Sequence, residues 1–190
     1  MQHKGKHDSL AGKVILADPL MMDTNFKKAV LIMAEYGPKG AIGFVLNKKL
    51  NFTLSEIIND SKFNFDPQIY FGGPVQQDNL FFLHSIREIV TDGSLEIAPN
   101  LFWGGDFETL QSEEYLKYIR PDNIRFFLGY SGWDFDQIKE ELKENAWIVA
   151  DQKIDDLLHL PDESMWFDLM KKIGGDKRIW INTPEHIFMN

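Results

Sequence analysis

The stretch Phe126-Phe127-Leu128-Gly129-Tyr130-Ser131-Gly132-Trp133-Asp134-Phe135-Asp136-Gln137 decides how the rest of the chain is read. An apolar run from Asn123 to Tyr130, rich in Phe, Ile, Leu and Tyr, suits a pleated and buried strand. Gly129 and Gly132 follow, and glycine permits positive φ and close backbone approach, so the pair predicts a tight turn. Asp134 with Gln137 three residues on forms a capping box and opens a helix over 134–144. Ile138 and Leu142, four apart, give that helix one apolar face, and Asp136, Glu140 and Glu141 lie where the helix dipole favours acids. Ala146 to Ala150 reads as the next strand. Trp133 is the expected buried anchor of a strand–turn–helix corner.

Two chemical readings of this corner fail on its own residues. Gly129-Tyr130-Ser131-Gly132-Trp133 approaches the G-x-S-x-G nucleophile elbow, but Trp133 stands where the closing glycine belongs, and no base for Ser131 is identifiable. An anion at the helix N-terminus would meet Asp134 and Asp136.

The same corner, continued by Gln137, Glu141, Leu142 and Trp147, resembles the YqgE/AlgH family of bacterial proteins. Met21-Met22-Asp23-Thr24-Asn25-Phe26, Gly40-Ala41-Ile42-Gly43-Phe44-Val45-Leu46-Asn47 and Gly72-Gly73-Pro74-Val75 extend the resemblance from about Gly12 to Gly174. The family pattern has Ala at Ser131, Gly at Asp136 and Pro at Lys49, and the first departure argues further against a serine nucleophile. The resemblance implies no agreed biochemical activity. It implies at most a link to transcriptional regulation, which some members have.

Composition narrows the classes. The chain has 190 residues, 44% hydrophobic and 13% aromatic, enough for one domain with a real core. It has no Cys, which excludes disulfides, thiolate metal sites and cysteine nucleophiles. Met1 to Asp8 is polar and lacks a signal-peptide core, and the longest apolar run, Ala29 to Ala34, is too short to span a bilayer. A cytoplasmic protein that does not contact membranes is expected. The net charge is −9, from 20 Lys+Arg against 29 Asp+Glu, and the few arginines are scattered, which disfavours direct contact with nucleic acid.

In chain order, residues 1–9 read as a disordered tail, with His3 and His7 lacking a third ligand, and 10–190 as a single domain. Gly12 to Ala17 is a strand. The runs within Phe26–Tyr36 and Ala41–Asn47, joined by Gly37-Pro38-Lys39-Gly40, predict a hairpin. Asn47 ends it, as a backbone cap or as an amide offered to a cleft. Thr53-Leu54-Ser55-Glu56 is a second capping box. Strands follow at Gln68–Phe71, Asn79–Ser85 and Ser94–Ile97, the last after a turn at 91–93. Gly72-Gly73-Pro74 stops the first of these and lacks the lysine of a P-loop. Leu101 to Asp106 repeats the pattern of strand, paired glycines and helix cap, leading into a helix over 107–118. A helical turn at 154–158, a helix at 162–173 stopped by Gly174-Gly175, and an apolar stretch over 178–190 complete the chain.

These readings predict a single compact α/β domain of the α+β kind, with a mixed, largely antiparallel sheet flanked by helices. The expected function is non-enzymatic binding or regulation, with an unknown protein or small molecule as partner, no metal and no cofactor. The glycine breaks at 72–73, 104–105 and 129–132 outline a groove if they converge. Its candidate residues are Asn47, Gly72, Gly73, Pro74, His84, Gly129, Gly132 and Trp133. The alternative is a small enzyme using His84 as acid or base beside that groove. A cleft-facing His84 near a carboxylate favours the enzyme, and burial against Phe81 and Leu83 removes it.

Overall fold

The computed structural model describes residues 9–89, 93–150 and 162–173. Residues 1–8 of the expected 1–9 tail, 91 and 92 of the expected 91–93 turn, the helical turn at 154–158 and everything from Gly174 onward lie outside the described residues.

The strands are β1 (Val14–Ala17), β2 (Val30–Gly37), β3 (Gly40–Val45), β4 (Lys49–Thr53), β5 (Gln68–Phe71), β6 (Val75–His84), β7 (Ser94–Ala98), β8 (Leu101–Gly104), β9 (Ile124–Trp133) and β10 (Trp147–Ala150). Between β8 and β9 lie two single-turn helices, α1 (Phe107–Leu110) and α2 (Glu113–Leu116). The helix α3 (Phe135–Lys143) follows β9, and α4 (Asp162–Ile173) is the last described element. One curled sheet runs β10-β1-β2-β3-β9-β6-β8-β7, with β4 and β5 attached beside β9. Among the described residues the β5–β9 pairing is parallel and the others are antiparallel. This α+β domain matches the expected fold class, and the 26–47 hairpin forms with Gly37 opposite Gly40.

β9 is the hub. It pairs with β6 along one edge and with both β3 and β5 along the other. Side chains alternate across a strand, so Phe126 and Phe127, both fully buried, enter different cores. Phe127 joins Phe44, Ile32 and Leu83 inside the curl, where α4 adds Met165, Trp166, Leu169 and Met170. Phe126 joins Leu54, Ile69 and Leu110. A third core lies under α3, where Phe26, Trp133 and Trp147 pack ring on ring at centroid distances of 5.4 to 6.1 Å.

Two expectations are corrected here. The strand read over 123–130 does not turn at the Gly129 and Gly132 pair. It runs to Trp133, and Gly129 (φ +69°) takes up a distortion at which β6 bulges. Val75 faces Tyr130 and Leu80 faces Leu128, so four residues of β6 loop out against a single residue of β9. The helix expected over 107–118 breaks at Gln111 and Ser112. Gln111 turns inward, where its Oε1 accepts the backbone N–H of Lys62 (3.1 Å), and Ser112 is extended and starts the second turn. Both capping boxes form, although the one at Thr53 opens a single 3-10 turn, Leu54–Glu56.

The helix α4 is fastened at two points. The indole N–H of Trp166 donates to Ala17 O (2.9 Å). One turn earlier, at the first residue of the helix, Asp162 Oδ2 accepts from the Tyr70 hydroxyl (3.0 Å) and lies 2.8 Å from Lys49 Nζ. Asp162 Oδ1 is 3.3 Å from Arg125 Nη1, a charge contact without good hydrogen-bond geometry. The Arg125 guanidinium covers the Tyr70 ring at 4.3 Å and donates to Leu46 O. The hydrogen bond that Lys49 donates to Asp162, followed by the charge of that carboxylate, raises the lysine ammonium above its usual range. Among the described residues no helix is long and apolar enough to cross a membrane.

Candidate functional site

The glycine segments converge in part. A Cβ on Gly72 would lie 2.1 Å from Gly129 O, and one on Gly73 would lie 2.2 Å from Tyr130 C. The backbones at 72–73 and 129–131 therefore stack directly, with no room for a side chain between them. Gly72 is also a junction. Its N–H donates to Leu128 O (2.9 Å), and its carbonyl accepts from Val45 N (3.0 Å) and from the Ser131 hydroxyl (3.1 Å). Gly104 packs elsewhere, where a Cβ would meet Gly93 O at 2.8 Å. The expected meeting of three glycine segments is thus a meeting of two.

What opens beside this stack is a shallow groove of about 430 Å³ at the far end of β9. The β2–β3 hairpin forms one wall through Glu35, Lys39 and Ile42, and Val75 and Tyr130 form the other. Register explains the floor. Ile42 is paired with Gly132, so the apolar side chain faces a position that carries none. Gly132 is exposed, and the Tyr130 ring edge lies 3.1 Å from where its Cβ would be. Tyr130 is held edge-on by Phe81 (5.7 Å), which packs on the buried Phe44. The start of α3 closes the end of the groove with Trp133, Asp134 and Gln137.

Trp133 is buried, as expected, and fixes that end. Its indole N–H donates to Glu141 Oε2, as does that of Trp147, and Gln137 Nε2 donates to Glu141 Oε1 (2.8 Å). The cap of α3 and the groove wall are thus positioned through one carboxylate.

The other sequence candidates lie outside the groove. Asn47 spans the start of β2: its Oδ1 accepts from Val30 N (2.8 Å) and its Nδ2 donates to Lys28 O (2.9 Å). That is the backbone-capping alternative, across strands instead of locally. His84, at the opposite end of β6 from Val75, is 1% exposed. It stacks on Phe102 (5.4 Å) and lies beside Phe82 (6.0 Å). Phe81 and Leu83, the neighbours expected from sequence, face the other way because strand side chains alternate. Burial pushes the His84 imidazole down to about 4, so it is neutral, and its Nδ1 accepts from Ile86 N (3.3 Å), leaving the proton on Nε2. Ser131 is 0% exposed and its hydroxyl is committed to Gly72 O. Among the described residues no group of three metal-capable side chains assembles.

Sequence reading missed Ile42, Val75 and Tyr130 as groove residues. The available signal was Tyr130 standing as the one large side chain between two glycines of a strand. It also missed the Lys49–Tyr70–Arg125–Asp162 cluster, whose members are scattered along the chain.

The comparisons with known proteins agree with this architecture. Residues 14–178 match the family model described as AlgH-like. Proteins named UPF0301 from Cytophaga hutchinsonii and Chlorobaculum parvum are 38% and 39% identical over 173 and 180 residues. The alignments cover 91% of this chain and 94% of the first, and 95% of this chain and 95% of the second. The solution structure of the AlgH protein from Pseudomonas aeruginosa is similar with a TM-score of 0.70 at 26% identity, covering 97% of this chain and all of that one. A crystal structure of a protein from Corynebacterium diphtheriae shares the fold, with a TM-score of 0.73 at 20% identity and 92% of each chain covered.

Proposed function

This chain belongs to the AlgH-like family, and from that premise we propose that it is a cytoplasmic, non-enzymatic binding protein that holds a small molecule or short peptide in the groove between the β2–β3 hairpin and the end of β9. One observation carries the reading: the exposed, bare backbone of Gly132 beside the Tyr130 ring, over the Ile42 side chain. An apolar floor with an aromatic edge receives a hydrophobic group, while Glu35, Lys39 and Gln137 at the rim orient its polar end. The groups that an enzyme would use are committed elsewhere, His84 to its aromatic stack and Ser131 to Gly72 O. A regulatory role of the kind the family resemblance implies is then indirect, transmitted through the bound ligand or through a partner.

The test is a thermal-shift screen of the purified protein against metabolites and short peptides, repeated on Gly132→Val. A Cβ at Gly132 meets only side-chain atoms, Tyr130 Cε2 (3.1 Å) and Val75 Cγ2 (3.6 Å), so the substitution fills the groove, and a thermal melt checks that the variant folds. The reading expects ligands that stabilise the wild type and not the variant. Turnover of such a ligand, or stoichiometric labelling of Ser131 by a fluorophosphonate, would overturn it.

A further inference from the structure

Strand β2 carries an irregularity that bears on what the groove recognises. Met33 faces Gly43 and Glu35 faces Ile42, so Ala34 has no partner on β3 and the strand bulges there. Side chains of a regular strand alternate, which would set Glu35 on the same face as Met33, in the core beneath α3. The extra residue shifts the alternation by one. Ala34 packs inside the curl, and Glu35, the next residue, is paired with Ile42 of that same inner face. Past the bulge, Tyr36 pairs with Ala41 and both return to the core beneath α3. Ile42 is in turn paired with Gly132. A carboxylate, an apolar side chain and a bare backbone position therefore stand in one row across β2, β3 and β9, and all three line the groove.

The polar groups at the rim fall into two sets. Gln137 Nε2 donates to Glu141 Oε1 and its Oε1 accepts from Asp134 N, while Asp134 belongs to the capping box of α3. Glu35 and Lys39 are different. Both are exposed, and among the described residues neither side chain has a hydrogen-bond or ion-pair partner. The hairpin wall thus offers one open carboxylate and one open ammonium beside an apolar floor. A purely cationic ligand would leave Lys39 opposed, and a purely anionic one would leave Glu35 opposed. A ligand carrying both charges next to an apolar group suits all three features. We propose that the groove binds an apolar zwitterion of the amino-acid type, the chemistry of a free amino acid or a dipeptide. Its ammonium meets Glu35, its carboxylate meets Lys39, and its side chain lies over Ile42 and Gly132 against the Tyr130 ring edge. The volume of about 430 Å³ falls in the range of small-molecule sites. This inference rests on the groove reading above and adds the class of ligand.

The test is a set of amide chemical-shift titrations on the full-length protein. The zwitterions are L-phenylalanine and alanyl-phenylalanine. The controls keep the ring and drop one charge: phenylalaninamide lacks the carboxylate and hydrocinnamate lacks the ammonium. The proposal expects a zwitterion to shift Glu35, Ile42 and Gly132, and each control to bind more weakly by roughly threefold or more, the scale of one exposed charge contact. Glu35→Gln should weaken the zwitterions and the amide but not hydrocinnamate. Lys39→Gln should weaken the zwitterions and hydrocinnamate but not the amide. Both side chains project into water, and thermal melts verify the variants. The tighter of the two zwitterions identifies the source. Controls that bind as well as the zwitterions, or zwitterion affinity unchanged in Glu35→Gln, would overturn the proposal, as would no groove shift with either zwitterion. If other ligands still lose binding in Gly132→Val, the groove reading stands without it. If no ligand distinguishes Gly132→Val from wild type, both readings fall together.

Discussion

Trp133 and Trp147 donate their indole N–H groups to the same atom, Oε2 of Glu141, at 2.9 and 2.7 Å, while their rings meet edge to face at 5.8 Å. One tryptophan ends β9 and the other begins β10, so a single carboxylate on α3 ties together two strands that are not neighbours in the sheet. Replacing Glu141 by Ala leaves both indole donors unpaired, and a lost charge-assisted acceptor in a half-buried setting costs about 2–4 kcal/mol here. Glu141→Gln keeps an acceptor for the indoles if the Gln137 amide turns, and should lose about 1 kcal/mol. Trp133→Ala removes the ring itself and should cost about 3–5 kcal/mol. Urea unfolding of the three variants checks the order. A Glu141→Ala protein as stable as wild type would show that the shared acceptor is dispensable.

The glycines give a sharper contrast. Gly72→Ala drives a Cβ into a backbone carbonyl at 2.1 Å, and Gly129→Ala forces positive φ as well as a 2.5 Å contact with Gly73 O. Each should destabilise by more than about 3 kcal/mol and deplete soluble protein. Gly132→Ala meets only the edge of a side chain and should shift stability by less than about 1 kcal/mol. Thermal melts of the three variants separate the positions. Equal loss at all three would mean that Gly132 belongs to the packed stack and not to an open floor.

His84 makes stability depend on pH. Its folded value, about 4, lies below the usual value of 6.5, so between these two the unfolded chain binds the proton and the folded chain does not. Stability from the buried neutral ring is therefore complete above 6.5 and is lost as pH falls from 6.5 towards 4, by on the order of 3 kcal/mol. His84→Gln, which does not titrate, should flatten this segment of the curve. Denaturation midpoints measured across the window test it, and an unchanged slope in the variant would assign the effect to other groups.

Random duplex DNA should show no measurable binding at physiological salt. Affinity for a duplex comes mainly from cations that displace counterions, and this chain starts at −9. Helix α3 and its C-cap present Asp136, Glu140 and Glu144 with Lys139 and Lys143, and these lysines already face Asp136 and Glu140. In α4, Lys171 and Lys172 sit in the last turn, where they complement the helix dipole. An anisotropy titration giving micromolar affinity that weakens steeply with salt would restore direct binding.

Local chemistry was legible in the sequence. The 26–47 hairpin, the caps at Thr53 and Asp134 and the anchoring role of Trp133 all follow from spacing and turn residues, and the structure contains each of them. What spacing does not encode is which backbones touch. Gly129 and Gly132 read as a turn because glycine is the usual punctuation, but Gly129 serves the close passage of residues 72–73 against a continuing strand. The pairing of Tyr70 with Asp162 joins residues 92 apart, and no local pattern marks either one. The groove was half legible for the same reason: Gly132 and Trp133 were identified, while Ile42 enters through cross-strand register.

The first and last described strands also set a schedule. β1 lies between β2 and β10, and the interior of the curl is filled by Met165, Trp166, Leu169 and Met170 of α4. A ribosome delivers β1 early and those partners late, so the inner faces of Val14, Leu16 and Ile32 stay uncovered through most of translation. Domains whose contacts join distant parts of the chain fold slowly and expose apolar surface while they wait. A nascent chain stalled before Trp147 would hold the hairpin and β9 but neither closing element.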